Sequence, residues 1–122
     1  MITIRENKVR EKRIMNDIVV DCYNEQEQAM GWYYYLEDNL NFPFTARCII
    51  KRLTSPLKNG EIVEVTGMAP EDECQHEMFV NIHWQKSVIA IPLVQLEGIK
   101  IGSETREAIE DWHYWVKRGY EL

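Results

Sequence analysis

The stretch GWYYYLEDNLNFPFTARC, residues 31–48, predicts where a helix ends and a sheet begins. Its apolar residues continue a pattern with the spacing of one helical face, made of Ala29, Trp32, Tyr33, Leu36 and Leu40. Asn24 is a suitable N-cap for this helix, and acidic residues follow it in the first turn. Because the residue before a proline is disfavoured in the helical conformation, Pro43 predicts that the helix stops by about Asn41.

The hydrophobic pattern changes after Pro43 to short segments of strand character. Four segments are rich in Val, Ile, Phe and Thr: FTARCIIKRL, EIVEVTGMA, MFVNIHW and SVIAIPL. Turn residues separate them at positions 55–61 and 85–86. The sequence PLVQLEGI, residues 92–99, is typical of a turn into one more short strand. About five short strands at this spacing predict a small antiparallel sheet.

Helices are predicted on both sides of these strands. Residues 5–15 favour a short helix, and Ser103 is expected to cap a C-terminal helix that ends near Gly119. The apolar stripe of this last helix consists of Ala108, Ile109, Trp112, Trp115 and Val116. The predicted fold class is therefore α+β: a small antiparallel sheet or an SH3-like, partly closed barrel, flanked by N-terminal helices and a C-terminal helix.

The length and composition are typical of one domain. With 122 residues, 45% of them hydrophobic, the chain is expected to form a single domain over residues 1–122, with residues 1–16 as a basic N-terminal arm or short helix. No apolar run reaches the length of a membrane span, and no secretory signal is recognisable. The three cysteines, Cys22, Cys48 and Cys74, are expected to be reduced thiols in a cytoplasmic protein.

The charge distribution argues against nucleic acid as a partner. The formal net charge is −6, although residues 1–13 carry five basic and two acidic side chains. The rest of the chain therefore has a net charge of −9. Binding to phosphate groups requires a basic surface. We expect no nucleic-acid partner and no membrane partner.

The end of the aromatic helix carries several oxygen-bearing side chains: Glu37, Asp38, Asn39 and Asn41. The last carbonyl groups of a helix have no intrahelical partner there, and the helix dipole is negative. Carboxylates at this end destabilise the helix unless a cation offsets them. Carboxylate, amide and carbonyl oxygens are the ligands that Ca²⁺ prefers. This end is therefore either one half of a cation site or an exposed acidic helix end.

A second acidic segment, APEDECQHE at residues 69–77, could supply the other half of a site. It holds four carboxylates between two predicted strands: Glu71, Asp72, Glu73 and Glu77. Such dense like charges repel one another unless solvent or a cation neutralises them. On a helix, Glu37 and Asp38 point about 100° apart, so a site needs ligands from another segment. A third cluster lies on the polar face of the last helix and consists of Glu107, Glu110 and Asp111.

Other metal and catalytic signatures are weak. An EF-hand loop that began at Asp38 would have Leu40 at an oxygen-ligand position and Ile49 in place of the bidentate glutamate. Cys74 and His76 form one close pair, but no second pair completes a zinc site, and neither lies in a recognisable catalytic context. No glycine-rich phosphate loop is present. The sequence therefore predicts a protein that is not an enzyme.

A family resemblance covers the chain from about residue 17 to its end. It rests on the segments GWYYYLEDNLNFPFTARC, SPLKNGEIVEVTGMAPEDECQHEMFV, PLVQLEG and AIEDWHYWVKRGYE. These segments resemble the small bacterial calcium-binding proteins of the cyanobacterial CcbP type. The resemblance implies an acidic, cytoplasmic protein that binds Ca²⁺ without an EF-hand, lowers free Ca²⁺ and surrounds a small sheet with helices. It also implies ligands in LEDN and PEDE, with Asp38 first, followed by Asp72, Glu71 and Glu73.

Two functional hypotheses follow from these observations. The first is a non-EF-hand calcium buffer or sensor without catalysis, with ligands from the helix end and the acidic loop: Asp38, Glu37, Asn41, Glu71, Asp72, Glu73 and Glu77. Its partners would be calcium ions and, for a sensor, a regulatory protein. The alternative is an SH3-like protein-interaction module with an acidic rim and no physiological metal. The two differ in ion selectivity, because a simple acidic rim treats Ca²⁺ and Mg²⁺ alike.

Overall fold

The computed structural model describes residues 5–120 and 122. The helices are α1 (Lys8–Arg13), which a π-helical segment at Ile14–Ile18 continues, α2 (Glu25–Asn39) and α3 (Ser103–Lys117). The strands are β1 (Phe44–Cys48), β2 (Ile62–Met68), β3 (Phe79–Trp84), β4 (Ser87–Pro92) and β5 (Leu96–Ile99). Short 3₁₀ turns lie at Glu71–Cys74 and Leu93–Gln95. The predicted α+β fold class is confirmed.

The five strands form one antiparallel sheet in the order β4-β3-β2-β1-β5. The sheet is open, with β4 and β5 at its two edges. Closure into a barrel would require these edge strands to pair, and within residues 5–120 they do not. The predicted small antiparallel sheet is therefore confirmed, whereas the SH3-like barrel, the other form considered, is not formed.

One face of the sheet shares its hydrophobic core with α2 and α3. In β1, buried residues alternate with exposed ones, as expected for a strand with one covered face. Trp32 of α2 contacts Trp112 and Trp115 of α3, with ring centroids 5.1 and 5.5 Å apart. The aromatic residues of α2 therefore hold this helix against α3 in the core.

The boundaries of α2 agree with the sequence prediction. The side chain of Asn24 accepts a hydrogen bond from the backbone N–H of Glu27 at 2.8 Å, as an N-cap does. The helix ends at Asn39, and Leu40 is already extended, with φ −79° and ψ 123°. The predicted stop by about Asn41 is thus confirmed.

The basic N-terminal segment packs against α3. Arg10 and Arg13 donate hydrogen bonds to the carboxylate of Asp111 at 2.9 and 2.6 Å. The backbone N–H of Asn7 donates to the hydroxyl of Tyr114 at 2.9 Å. From Asn7 onward the segment is therefore docked and is not a free arm. Residues 1–4 of the predicted arm lie outside the described residues.

The start of α3 differs from the prediction by one residue. Gly102 occupies the N-cap position, no side chain caps the helix, and Ser103 is the first helical residue. The prediction that Ser103 caps this helix is therefore wrong. Within residues 5–120 and 122, none of the helices has both the length and the apolar character that crossing a bilayer would need.

Candidate metal sites

Three consecutive tyrosines of α2 each donate a hydrogen bond to a different part of the chain. Tyr33 donates to the backbone carbonyl of Ala69 at 2.7 Å, and Tyr34 donates to Oε1 of Glu71 at 3.0 Å. Tyr35 donates to Oδ2 of Asp111 on α3 at 2.8 Å. The sequence predicts Tyr33 on the buried face of α2, and none of these three partners is visible in it. The tyrosines fix the last turns of α2 against both acidic segments.

The first candidate place lies between α2 and the acidic turn, the name used here for residues 71–73. The hydrogen bond to Glu71 raises the pKa of Tyr34, and the charges of Glu71 and Glu37 raise it further. Burial raises the pKa of Tyr33, and the charges of Glu37 and Glu71 raise it further. Both carboxylates therefore act on the same two phenols. The hydrogen bond from Tyr34 to Glu71 thus joins α2 to the acidic turn, and the charge of Glu37 acts on the same phenol.

The acidic turn itself is exposed, and the buried residue that follows it holds it in place. Glu71, Asp72 and Glu73 are all exposed, whereas Cys74, which follows them, is fully buried. The backbone N–H of Phe79 donates to Sγ of Cys74 at 3.4 Å. Burial raises the pKa of the Cys74 thiol, which disfavours the thiolate that a nucleophile or a zinc ligand needs. The turn therefore exposes three carboxylates to solvent, while Cys74 fixes its end in the core.

Glu77 does not join the other carboxylates of this segment. Its Oε2 lies 2.6 Å from Nη1 of Arg52, and the Glu77 side chain is half-buried at 24% exposure. The guanidinium of Arg52 already neutralises this carboxylate. A cation at Glu77 would first have to displace Arg52.

The second candidate place is a depression of about 410 Å³ between the end of α2 and the start of α3. Its two walls are residues 38–41 and residues 102–105, and we call it the helix-end depression. Asp38 and Asn41 are exposed on one wall, and Glu104 is exposed on the other. Asp38 and Asn41 therefore lie on the wall opposite the start of α3. Glu104 is not among the ligands predicted from the sequence, because its position opposite Asp38 depends on the packing of the two helices.

The electrostatics of this depression modify the argument made from the sequence. Asp38 is disfavoured by the negative end of its own helix, α2. The start of α3, which carries partial positive charge, lines the same depression. That partial charge offsets part of the cost of Asp38. A carboxylate at the end of α2 therefore does not by itself require a cation.

The third acidic cluster is occupied by arginines. Asp111 is fully buried, and Arg13 contacts both Asp111 at 2.6 Å and Glu107 at 3.0 Å. Arg10 contacts Asp111 at 2.9 Å and Glu110 at 4.0 Å. The hydrogen bond with Asp111 raises the pKa of Arg13, so this guanidinium stays charged. The prediction that all three residues lie on the polar face of the last helix is therefore wrong for Asp111, which is buried.

These two candidate places suit a hard cation that keeps part of its water better than a metal ion coordinated only by protein side chains. Among the residues that the structure describes, no three His, Cys, Asp or Glu side chains converge closely enough to hold a metal ion. Ca²⁺ accepts carboxylate, amide, carbonyl and water oxygens in irregular arrangements. Asp38, Asn41 and Glu104 offer such oxygens at the helix-end depression, as do Glu37 and Glu71 at the acidic turn. Water would complete the coordination at either place.

Comparisons with known proteins agree on one family. The family model for calcium-binding proteins of the CcbP type, described as calcium binding, matches residues 12–116. The crystal structure of Anabaena CcbP is 41% identical, covers 100% of both chains and has a TM-score of 0.88. A calcium-binding protein in its calcium-binding form is 40% identical over 100% of both chains, with a TM-score of 0.87. No curated protein sequence matches the chain significantly.

Proposed function

Because the chain belongs to the CcbP family of calcium-binding proteins, we propose that it is a cytoplasmic, non-EF-hand calcium buffer. The ligand is Ca²⁺. In this proposal the whole chain acts as one calcium-binding domain. The family is a calcium-binding one, which agrees with a role without catalysis.

The helix-end depression is the first proposed site. Asp38 and Asn41 would supply oxygens from the end of α2, and Glu104 would supply a carboxylate from the opposite wall. Two carboxylates and an amide leave several positions for water among the ligands that Ca²⁺ takes. The observation that carries the proposal is this opposition of exposed oxygen ligands from two separate helices across one depression.

The acidic turn is the second proposed site. Glu71 is held by Tyr34 at 3.0 Å, and Glu37 acts on the same phenol from the last turns of α2. Asp72 and Glu73 are exposed on the same turn and would add carboxylates. Glu77 would contribute only after exchange with Arg52, its partner at 2.6 Å. The seven ligands expected from the sequence would thus divide between two sites.

Exposed sites of this kind should prefer Ca²⁺ to Mg²⁺. Mg²⁺ requires near-octahedral geometry and releases its water reluctantly, whereas Ca²⁺ tolerates irregular carboxylate arrangements. Because the carboxylates are exposed, salt should weaken binding by screening. Protons should weaken it too, because they compete for the same oxygens.

A buffer fits the contacts of α2 better than a sensor does. The three tyrosine hydroxyls hold α2 to the acidic segments, and Trp32 packs against two tryptophans of α3. A sensor needs an element with two arrangements whose balance the ion shifts. Ca²⁺ at exposed carboxylates would displace water from a surface that these contacts already fix.

The test is a calorimetric titration of chelator-stripped protein with Ca²⁺ in millimolar Mg²⁺. We expect saturable binding that persists in Mg²⁺ and weakens in Asp38→Asn. Circular dichroism and small-angle scattering should change little between the calcium-free and calcium-loaded forms. Heats that vanish in Mg²⁺ would contradict the calcium function, and a large change in shape would contradict the buffer.

A further inference from the structure

One buried hydroxyl joins the two walls of the helix-end depression. Thr105, near the start of α3, is only 2% exposed. Its Oγ1 accepts a hydrogen bond from the backbone N–H of Asn41 at 3.0 Å and donates one to the backbone carbonyl of Asn39 at 3.4 Å. The hydroxyl of Thr105 therefore bonds to the backbone on both sides of Leu40, where α2 ends.

These hydrogen bonds fix residues 39–41, at the point where α2 ends. The last carbonyls of a helix lack intrahelical partners, and Leu40 is already extended. Thr105 satisfies the carbonyl of Asn39, while the side-chain amide of Asn39 donates to the carbonyl of Tyr35 at 2.8 Å. The backbone at residues 39–41 is thereby held on α3. Asn41 lies on this fixed backbone and Asp38 directly precedes it, and both residues are exposed.

We propose that Thr105 is the positioning residue of the calcium site at the helix-end depression. This inference rests on the function proposed above. Thr105 is buried and does not contact the ion; its hydroxyl holds Asp38 and Asn41 opposite Glu104, so that the three oxygen ligands meet Ca²⁺ without reorganisation. Groups that orient metal ligands in this way typically contribute about 10–100-fold in metal affinity.

The chemistry of the threonine side chain makes the proposal testable with small changes. A hydroxyl is both donor and acceptor, and Thr105 uses both capacities. Valine has almost the same shape but can neither donate nor accept a hydrogen bond, whereas serine keeps a hydroxyl that can do both. Serine and alanine differ only by the hydroxyl, so this second pair isolates the same group if the valine variant does not fold.

Tyr114 provides a matched control on the same helix. Its hydroxyl accepts a hydrogen bond from the backbone N–H of Asn7 at 2.9 Å and donates one to Oε2 of Glu11 at 2.7 Å. It therefore links α3 to the N-terminal segment as Thr105 links α3 to α2. Tyr114 does not line the helix-end depression. Tyr114→Phe removes a comparable link without touching the proposed site.

The experiment measures Ca²⁺ affinity by calorimetry in millimolar Mg²⁺, together with thermal unfolding of the calcium-free forms. Thr105→Val and Thr105→Ala should bind Ca²⁺ about 10-fold more weakly at the helix-end site, and Thr105→Ser should bind like the parent. Tyr114→Phe should lower the unfolding temperature yet leave Ca²⁺ affinity unchanged. If the hydroxyl of Thr105 only stabilised the fold, its removal would lower the unfolding temperature and leave the Ca²⁺ affinity unchanged.

Asp38→Asn separates failure of this inference from failure of the proposed function. If Asp38→Asn weakens binding and the valine and alanine variants do not, the positioning role of Thr105 is refuted while the site stands. If Tyr114→Phe weakens binding as much as Thr105→Val, the effect is general destabilisation and the inference is again refuted. Unchanged binding in Asp38→Asn refutes both the site and the role of Thr105. A parent that does not bind Ca²⁺ in Mg²⁺ refutes the calcium function itself.

Discussion

The hydroxyl of Tyr35 on α2 lies 2.8 Å from Oδ2 of Asp111 on α3, and both oxygens of that carboxylate are also bound by arginine. Arg10 and Arg13 reach Oδ1 at 2.9 and 2.6 Å, and Nε of Arg13 reaches Oδ2 at 3.2 Å. Burial and the bond to Asp111 both raise the pKa of Tyr35. Three helices thus meet at one buried carboxylate.

Replacing Asp111 should therefore be strongly destabilising. Asp111→Ala leaves Arg10, Arg13 and Tyr35 without their shared acceptor, and breaking a buried ion pair typically costs about 3–5 kcal/mol. Urea unfolding at pH 7 measures the loss in free energy. Glu110→Gln is the control, because Glu110 is half exposed and lies 4.0 Å from Arg10, so about 0.5 kcal/mol or less is expected. Equal losses in the two variants would show that the buried network does not stabilise the fold.

A second prediction concerns the close approach of α2 to the segment before it. A Cβ at Gly31 would lie 2.4 Å from the backbone carbonyl oxygen of Ile18. Alanine favours a helix over glycine by about 1 kcal/mol, but the contact with backbone should outweigh that gain. Gly31→Ala should therefore destabilise the protein by about 1–3 kcal/mol in urea unfolding.

Gly67→Ala is the matched control for Gly31→Ala. A Cβ at Gly67 would meet no atom within 4 Å, so its replacement should change the free energy of unfolding by about 0.5 kcal/mol or less. If Gly31→Ala were as stable as the parent, α2 would have to separate from the π-helical segment Ile14–Ile18 more easily than their contact indicates.

The sequence predicted the features that depend on neighbours along the chain. The helical spacing from Ala29 to Leu40 and the stop signal at Pro43 are local, and α2 ends as they indicate. The partners of the three tyrosines are not local. Whether Tyr35 bonds to Asp111 depends on how α2 packs against α3, which no spacing within either segment encodes.

The candidate site shows the same limit. Asp38 and the acidic turn were expected to meet, because both are acidic and lie in separate segments. In the structure Asp38 lines a depression with Glu104, whereas the charge of Glu37 acts on Tyr34, which donates a hydrogen bond to Glu71. The helical rotation of about 100° between Glu37 and Asp38 separates them, and only the tertiary packing decides which segment each one meets.

Stability should fall as the pH drops through the range in which histidine titrates. Burial lowers the pKa of His113 below its ordinary value of 6.5, even though Nε2 lies 3.3 Å from the carbonyl of Leu93. Lys117 lowers the pKa further, and Glu110 opposes it. The unfolded chain therefore binds a proton near pH 6.5 that the folded chain resists. The stabilising contribution of neutral His113 is complete above that pH and is lost as the pH falls toward the lower folded-state pKa.

His113→Gln should accordingly flatten the decline in stability between pH 7.5 and pH 5.5, measured by urea unfolding at several pH values. His83→Gln, on the exposed side of β3, controls for the loss of an imidazole. A slope in His113→Gln that equals the parent's would mean that burial does not oppose protonation of this residue.

The last prediction concerns the acidic turn. Glu71→Gln removes one charge from the place where Glu71 and Glu37 act on Tyr34, so Ca²⁺ binding at this turn should weaken by roughly 5–10-fold, since affinity follows the number of charged ligands. Glu25→Gln is the control: it changes the net charge by the same amount on an exposed residue in the first turn of α2, far along the helix from Glu37. Calorimetry in millimolar Mg²⁺ measures both. An equal loss in the two variants would mean that the whole acidic surface attracts Ca²⁺ diffusely, because only a ligand effect depends on which carboxylate is removed.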